Sequence, residues 1–227
     1  MRKLIHGLII GLGAAALAWA LWSLGSLNWM ESPSWDWRVR TFAKPAAATA
    51  QIRMVLIDQR SLDWGRTEQK WAWPWPRIAY GAVASFCARA GAKAVVFDMM
   101  FTEPSIWNQV YGDDDAPLGA ALAAAPRPVV GLQLSRSQGT TTRWPPGIPR
   151  ARAEGLEGYA AEHPGPGLTM PEATFPIPEI ATNCALLGNV FAVSDRDKVI
   201  RRLTPFQVFD STFVPSLGLA AFMAANP

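Results

Sequence analysis

The chain has 227 residues, 50% apolar and 17% charged, with a formal net charge of +3. Its basic residues are scattered rather than gathered on one stripe, which argues against nucleic acid as a partner. Two histidines in the whole chain leave too few ligands for a His-based zinc site, and no metal or cofactor is expected.

The first element is an uncharged apolar run, residues 4–27, directly after Met1, Arg2 and Lys3. A bilayer crossing needs about 20 apolar residues, so this run predicts a transmembrane anchor. Arg2 and Lys3 favour a cytoplasmic N-terminus. Arg38, Arg40 and Lys44 lie further from the apolar end, and long C-terminal domains translocate largely regardless of charge. The expected arrangement is a single-pass anchor in the inner (cytoplasmic) membrane, with the domain in the periplasm or extracellular space. Trp22, Trp29, Trp35 and Trp37 cluster where the chain would leave the lipid, the level that indole rings prefer. Ala18-Trp19-Ala20 also fits a small-x-small cleavage site, but apolar character continues to Leu27, which favours retention. Gly7 and Gly11 share the small-xxx-small spacing of close helix pairs. A homodimer through the anchor is one reading, and ordinary membrane-helix composition is the other.

Residues 29–50 read as a juxtamembrane segment and linker. From Trp35 to Arg40 bulky and charged residues alternate, which suits a strand or a short helix. Residues 52–57 are apolar and rich in β-branched side chains and end at Asp58, predicting a buried strand. Residues 61–75 read as loop, leading into Trp73-Pro74-Trp75-Pro76-Arg77. Pro76 suits the first turn of a helix that runs to about Ala90, with Gly91 as its stop. Val95, Val96 and Phe97 form a second predicted strand ending at Asp98, which gives a right-handed βαβ unit. Asp113-Asp114-Asp115 precede an Ala-rich helix from Pro117 to about Ala125 and read as a solvated helix start. The alternating ligands and the glycine of an EF-hand loop are absent.

Residues 129–134 form a third predicted strand. Residues 135–182 are long, rich in Pro and Gly and weakly periodic, the mark of a functional segment or an irregular insertion. Two further strands, 188–193 and 200–209, are joined by Asp195-Arg196-Asp197-Lys198, a turn braced by Asp195, Asp197, Arg201 and Arg202. Residues 213–225 read as a final helix entered through Pro215. The expected fold is therefore α/β, a central, largely parallel sheet flanked by helices, preceded by one transmembrane helix. Residues 1–28 are the anchor and residues 51–227 the extracytoplasmic domain. Cys87 and Cys184 read as buried free thiols, although an exported location permits a disulfide.

Asp58 and Asp98 each end a predicted parallel strand, the side of an open sheet where ligands bind. With Glu103 and Arg77 they would form a polar pocket for a cation or an amine-bearing ligand. The alternative is that the aspartates cap loops and pair with Arg60, Arg77 or Arg201. Trp73 and Trp75, set between Pro74 and Pro76, form either an aromatic binding wall or a rigid buried plug. Asp98-Met99-Met100 lacks the second aspartate of a phosphotransferase loop. With His163 the one histidine beyond the anchor, no Ser-His-Asp or Cys-His catalytic set is credible.

Several blocks together resemble the second class of CHASE domains, the cyclase/histidine-kinase-associated sensory extracellular modules of bacterial signalling proteins. They are Trp35-Asp36-Trp37-Arg38, Leu56-Ile57-Asp58-Gln59-Arg60-Ser61-Leu62, Trp73-Pro74-Trp75-Pro76-Arg77 and the stretch from Gly91 to Asp98. Phe101-Thr102-Glu103-Pro104, Leu187-Gly188-Asn189-Val190, Asp195 to Arg202 and Pro215-Ser216-Leu217 complete the set. The resemblance implies a non-enzymatic sensor that responds to an unknown small-molecule or envelope signal. It further implies that membrane helices and a cyclase, kinase or diguanylate cyclase output lie beyond Pro227. Lys198 departs from the family pattern, which has Gly after the aspartate. An exported metal-dependent hydrolase using Asp58 and Asp98, and an envelope scaffold, are the competing readings.

Overall fold

The computed structural model describes residues 2–26, 28–153, 156, 159–163, 165, 167–195 and 197–227. Leu27 at the end of the apolar run, the Trp29 side chain, Arg196 of the charged turn and parts of the 135–182 segment lie outside the described residues. The chain divides into two compact units, Met1–Asp58 and Gln59–Pro227.

The first unit opens with helix α1, Arg2–Ser23. Among the described residues it is the one helix long and apolar enough to cross a membrane. Its side chains are exposed almost throughout. Helix α2, Asn28–Phe42, settles the ambiguous Trp35–Arg40 alternation in favour of helix. A 3-10 turn, Ala47–Gln51, follows. Residues 52–57 correct the sequence-based expectation. They form no strand, and Ile52, Met54, Val55 and Leu56 are exposed. Local composition favours extended backbone there, but a strand exists only when a neighbour completes its hydrogen-bond ladder.

The second unit holds the sheets. Helix α3, Gln59–Glu68, occupies a stretch expected to be loop. Helix α4, Arg77–Arg89, ends at Ala90, and Gly91 (φ +78°) turns the chain away from it. The left-handed conformation at that stop is the one that glycine adopts without steric cost. Strand β1, Val96–Phe97, helix α5, Asn108–Tyr111, helix α6, Asp115–Ala124, and strand β2, Val129–Ser135, come next. They are followed by helix α7, Tyr159–Glu162, strand β3, Glu172–Thr174, helix α8, Pro178–Ala181, and strand β4, Leu186–Asn189. Strands β5, Phe206–Phe209, and β6, Thr212–Pro215, and helix α9, Leu217–Ala225, close the chain.

Strand β2 is central. It pairs in parallel with β1 (Val96 opposite Val129) and with β4 (Val129 opposite Leu186), and antiparallel with β3 (Gln133 opposite Thr174). Val129, Val130, Leu132 and Leu134 are fully buried, as expected of a strand covered on both faces. The mixed α/β class with helices flanking the sheets agrees with the sequence-based expectation. The parallel crossovers are supplied by the chain through α6 and through α8, rather than by residues 52–57.

Two further corrections concern the last third. The predicted strands 188–193 and 200–209 shrink to β4 and β5, so the Asp195–Lys198 turn joins two non-strand arms. The predicted helix 213–225 divides into β6 and α9. Strands β5 and β6 pair antiparallel around Asp210 and Ser211, both with positive φ (46° and 57°). That is the signature of a tight hairpin turn. Ser216 caps α9, its hydroxyl accepting from the Leu219 N–H. Helix α9 lies against β4 where Gly188 leaves no side chain. A Cβ there would meet the Leu217 Cα at 2.5 Å. The 135–182 segment is not an appendage, because Trp144, Ile148, Met170, Phe175 and Ile177 are buried. Trp144 meets the Phe175 ring edge-on at 4.9 Å, and its backbone N–H donates to the Asp210 carboxylate at 2.9 Å.

Candidate ligand groove

A groove of about 390 Å³ opens in the second unit between the Trp73–Trp75 turn and residues 99–106. The turn precedes α4, and the Trp73–Pro74 peptide bond is cis. Trp73 is 56% exposed and lines the groove with Pro74, Met99, Met100, Glu103 and Ile106. The two tryptophans thus divide the roles weighed from sequence. Trp73 offers an open aromatic wall. Trp75 packs inward against Trp64 and Trp71, with ring centroids 6.4 and 5.8 Å away. Gly65 of α3 makes room for it, since a Cβ there would lie 2.7 Å from the Trp75 indole nitrogen.

The floor is a buried polar network built on Arg77. Its Nε donates to Asp115 Oδ1 at 3.2 Å and its Nη2 to the Glu103 backbone carbonyl at 3.0 Å. The guanidinium also lies 4.5 Å from the centroid of the Phe101 ring, a favourable cation–π placement. Asp114 Oδ2 accepts from the Arg77 N–H at 2.6 Å and from the Ser105 hydroxyl at 2.6 Å, while its Oδ1 accepts from the Ile78 N–H at 3.1 Å. It therefore caps the first turn of α4 from a distant part of the chain, where free N–H groups and the helix dipole favour a carboxylate. Asp115 Oδ2 accepts from the Ser105 N–H at 2.9 Å and from Asn108 Nδ2 at 2.7 Å.

The solvated-start reading of Asp113–Asp115 holds only for Asp113, which is exposed and caps its own helix through the N–H groups of Asp115 and Ala116. Asp114 and Asp115 are buried. The sequence offered a signal for this that was missed. Three adjacent aspartates exceed what one helix start uses, and a buried arginine needs a carboxylate partner.

Of the residues singled out from sequence, the structure brings Arg77, Glu103, Trp73, Pro74 and Trp75 together at the groove. Pro76 is buried as the N-cap of α4. Asp98 follows β1 and is exposed. Asp58 belongs to the first unit and ends no strand, since residues 52–57 form none. Asp36 lies within α2 and is half-buried. Asp195, Asp197 and Arg201 form the expected brace. Arg201 donates to Asp195 Oδ2 at 2.9 Å and to both Asp197 oxygens at 2.9 and 2.7 Å. The Arg201 hydrogen bonds, with the Val199 N–H adding to them, hold the Asp197 carboxyl down at about 2. Among the described residues no three His, Cys, Asp or Glu side chains converge as a metal site. Cys87 and Cys184 are both free thiols, Cys87 half-buried and Cys184 buried. Burial pushes the Cys184 thiol up to about 12.

Asn189, from the Leu187-Gly188-Asn189-Val190 block, is a second buried polar centre. Its Oδ1 accepts from the N–H groups of Leu134 and Phe191 at 3.1 and 3.0 Å, and its Nδ2 donates to Gln207 Oε1 at 2.8 Å. It thereby ties β4 to β2 and to β5.

No curated protein and no solved structure matches the chain. The family model described as the CHASE2 domain matches residues 13–226, from the middle of α1 to the end of α9. The chain belongs to the CHASE2 family of sensory extracellular domains found in signalling proteins.

Proposed function

We propose that this chain is the extracytoplasmic sensing region of a bacterial membrane signalling protein. Helix α1 holds it in the inner membrane, and the groove beside Trp73 receives the signal. The carrying observation is the family match over residues 13–226, which includes part of the apolar helix. The groove adds to it. Its volume lies within the range of about 300–1,000 Å³ common for small-molecule sites. Residues 99–106 on its far wall connect through Ser105 and Arg77 to the start of α4. A ligand can shift an output only by binding one arrangement better than another, and this connection is a route for such a difference. The regulated output is a cyclase, histidine kinase or diguanylate cyclase in the parent protein.

Fusions placed after Pro227 test the topology. Alkaline phosphatase, active only outside the cytoplasm, is expected to be active, and a green fluorescent protein fusion made by the same export route to be dark. Bright fluorescence with inactive phosphatase overturns the proposal. In the parent protein, output activity in membrane vesicles is expected to lose its signal dependence on Trp73→Ala.

A further inference from the structure

The groove combines one engaged cation with an excess of carboxylate. Among the described residues Arg77 is its single lining cation, and that guanidinium is already committed to Asp115, the Glu103 carbonyl and the Phe101 ring. Its side chain is only 10% exposed, so it does not reach a ligand as a free positive charge. Behind it stand two buried carboxylates, Asp114 and Asp115, and a third, Glu103, is exposed at the wall. One guanidinium against three carboxylates leaves a negative surplus at and behind the groove, offset in part by the α4 N-terminus that Asp114 caps. Fields in a recess with low-dielectric walls act more strongly on a ligand than the same charges on open surface. Apart from Thr102 and Ser105 the remaining lining is apolar, with Met99, Met100 and Ile106 facing one exposed indole, Trp73.

A negative field and an open tryptophan are the two elements that recognise an organic cation. The carboxylate supplies the counter-charge, and the indole face supplies the ring quadrupole. An anionic ligand would meet net repulsion, and a neutral one would use only the apolar walls. We propose that the groove binds a small organic ammonium ion, its charged head between Glu103 and the Trp73 ring. The assignment rests on the groove being the ligand site proposed above.

The test uses the full chain in lipid nanodiscs with 15N-labelled tryptophan, the Trp73 indole signal being identified by its loss in Trp73→Phe. The probes are choline, putrescine and phenethylamine, their uncharged analogues (3,3-dimethylbutanol for choline), and succinate as an anion. At least one ammonium probe is expected to shift the Trp73 signal saturably, with its uncharged analogue at least tenfold weaker. Glu103→Gln is expected to weaken that probe at least fivefold by calorimetry. Because Glu103 is exposed, the melting temperature should stay unchanged. Equal binding of a cation and its neutral analogue, or succinate binding where ammonium ions do not, overturns the ammonium assignment and leaves the groove as a site for another ligand class. If no probe of any charge moves the Trp73 signal, the assignment and the groove reading both fall.

Discussion

Lys198 sits at φ +63°, in the left-handed region that costs a side chain about 1–2 kcal/mol. Its N–H donates to the Asp195 carbonyl at 2.9 Å, and the Asp195 N–H donates to Val199, so the turn requires this backbone shape. Lys198→Gly is expected to stabilise the chain by about 0.5–1 kcal/mol in chemical denaturation, after glycine's greater unfolded-state entropy is offset. Next to it, Asp197 titrates near 2 instead of its ordinary 3.8, chiefly because of the Arg201 hydrogen bonds. A lowered folded-state value means that the contact contributes fully above pH 3.8 and loses its contribution as pH falls towards 2. Carboxyl carbon NMR should place the Asp197 midpoint near 2, and Arg201→Leu should return it towards 3.8. Tyr80 shows the opposite situation. Among the described residues its buried hydroxyl finds no hydrogen bond of good geometry, and burial raises its pKa against the opposing charge of Arg77. Removing a buried, unsatisfied polar atom relieves its desolvation cost. Tyr80→Phe is therefore expected to raise the stability by about 1 kcal/mol, read as an increased melting temperature.

Among the elements, α4 depends most on a distant partner. Its first turn is capped by Asp114 rather than by a neighbour in sequence, and Asp115 holds the Arg77 side chain. Breaking a buried ion pair from one side costs about 3–5 kcal/mol. Asp115→Ala should approach that figure, and it should also loosen residues 103–108, which would appear as faster amide exchange at Ser105. Arg77→Met with Asp115→Leu should recover only part of the loss, because the apolar pair avoids the ionic desolvation cost but leaves the Ser105 N–H and the Glu103 carbonyl without these partners. The helix itself was legible in sequence, through Pro76 at its start and Gly91 at its end. Helix α3 was not, because Pro74 and Pro76 made 61–75 read as loop. Gly65 is there for the Trp75 ring, a tertiary reason invisible to local propensity. The β5–β6 hairpin was missed for a related reason. Asp210-Ser211 is a weaker turn signal than Asn-Gly, and the apolar run from Phe213 through Ala225 spans a strand and a helix without a change in composition.

At the scale of the molecule, the two compact units imply that the second can be separated from the apolar helix. A chain beginning at Gln59 is expected to fold and to melt in one cooperative transition by circular dichroism, since both sheets and the groove lie within Gln59–Pro227. Failure to fold would mean that residues before Gln59 complete the core.

The sequence by itself determined the apolar helix, the α/β class, a strand at Val129, the α4 boundaries and the Asp197–Arg201 brace. Each of these follows from composition, period or spacing within a short window. Only the tertiary structure decided that residues 52–57 form no strand and that Asp114 and Asp115 meet Arg77. It also decided that Trp73 opens to solvent while Trp75 packs inward. Strand pairing, burial of charge and the direction of an aromatic ring depend on neighbours tens of residues away, and no local pattern encodes which neighbour arrives.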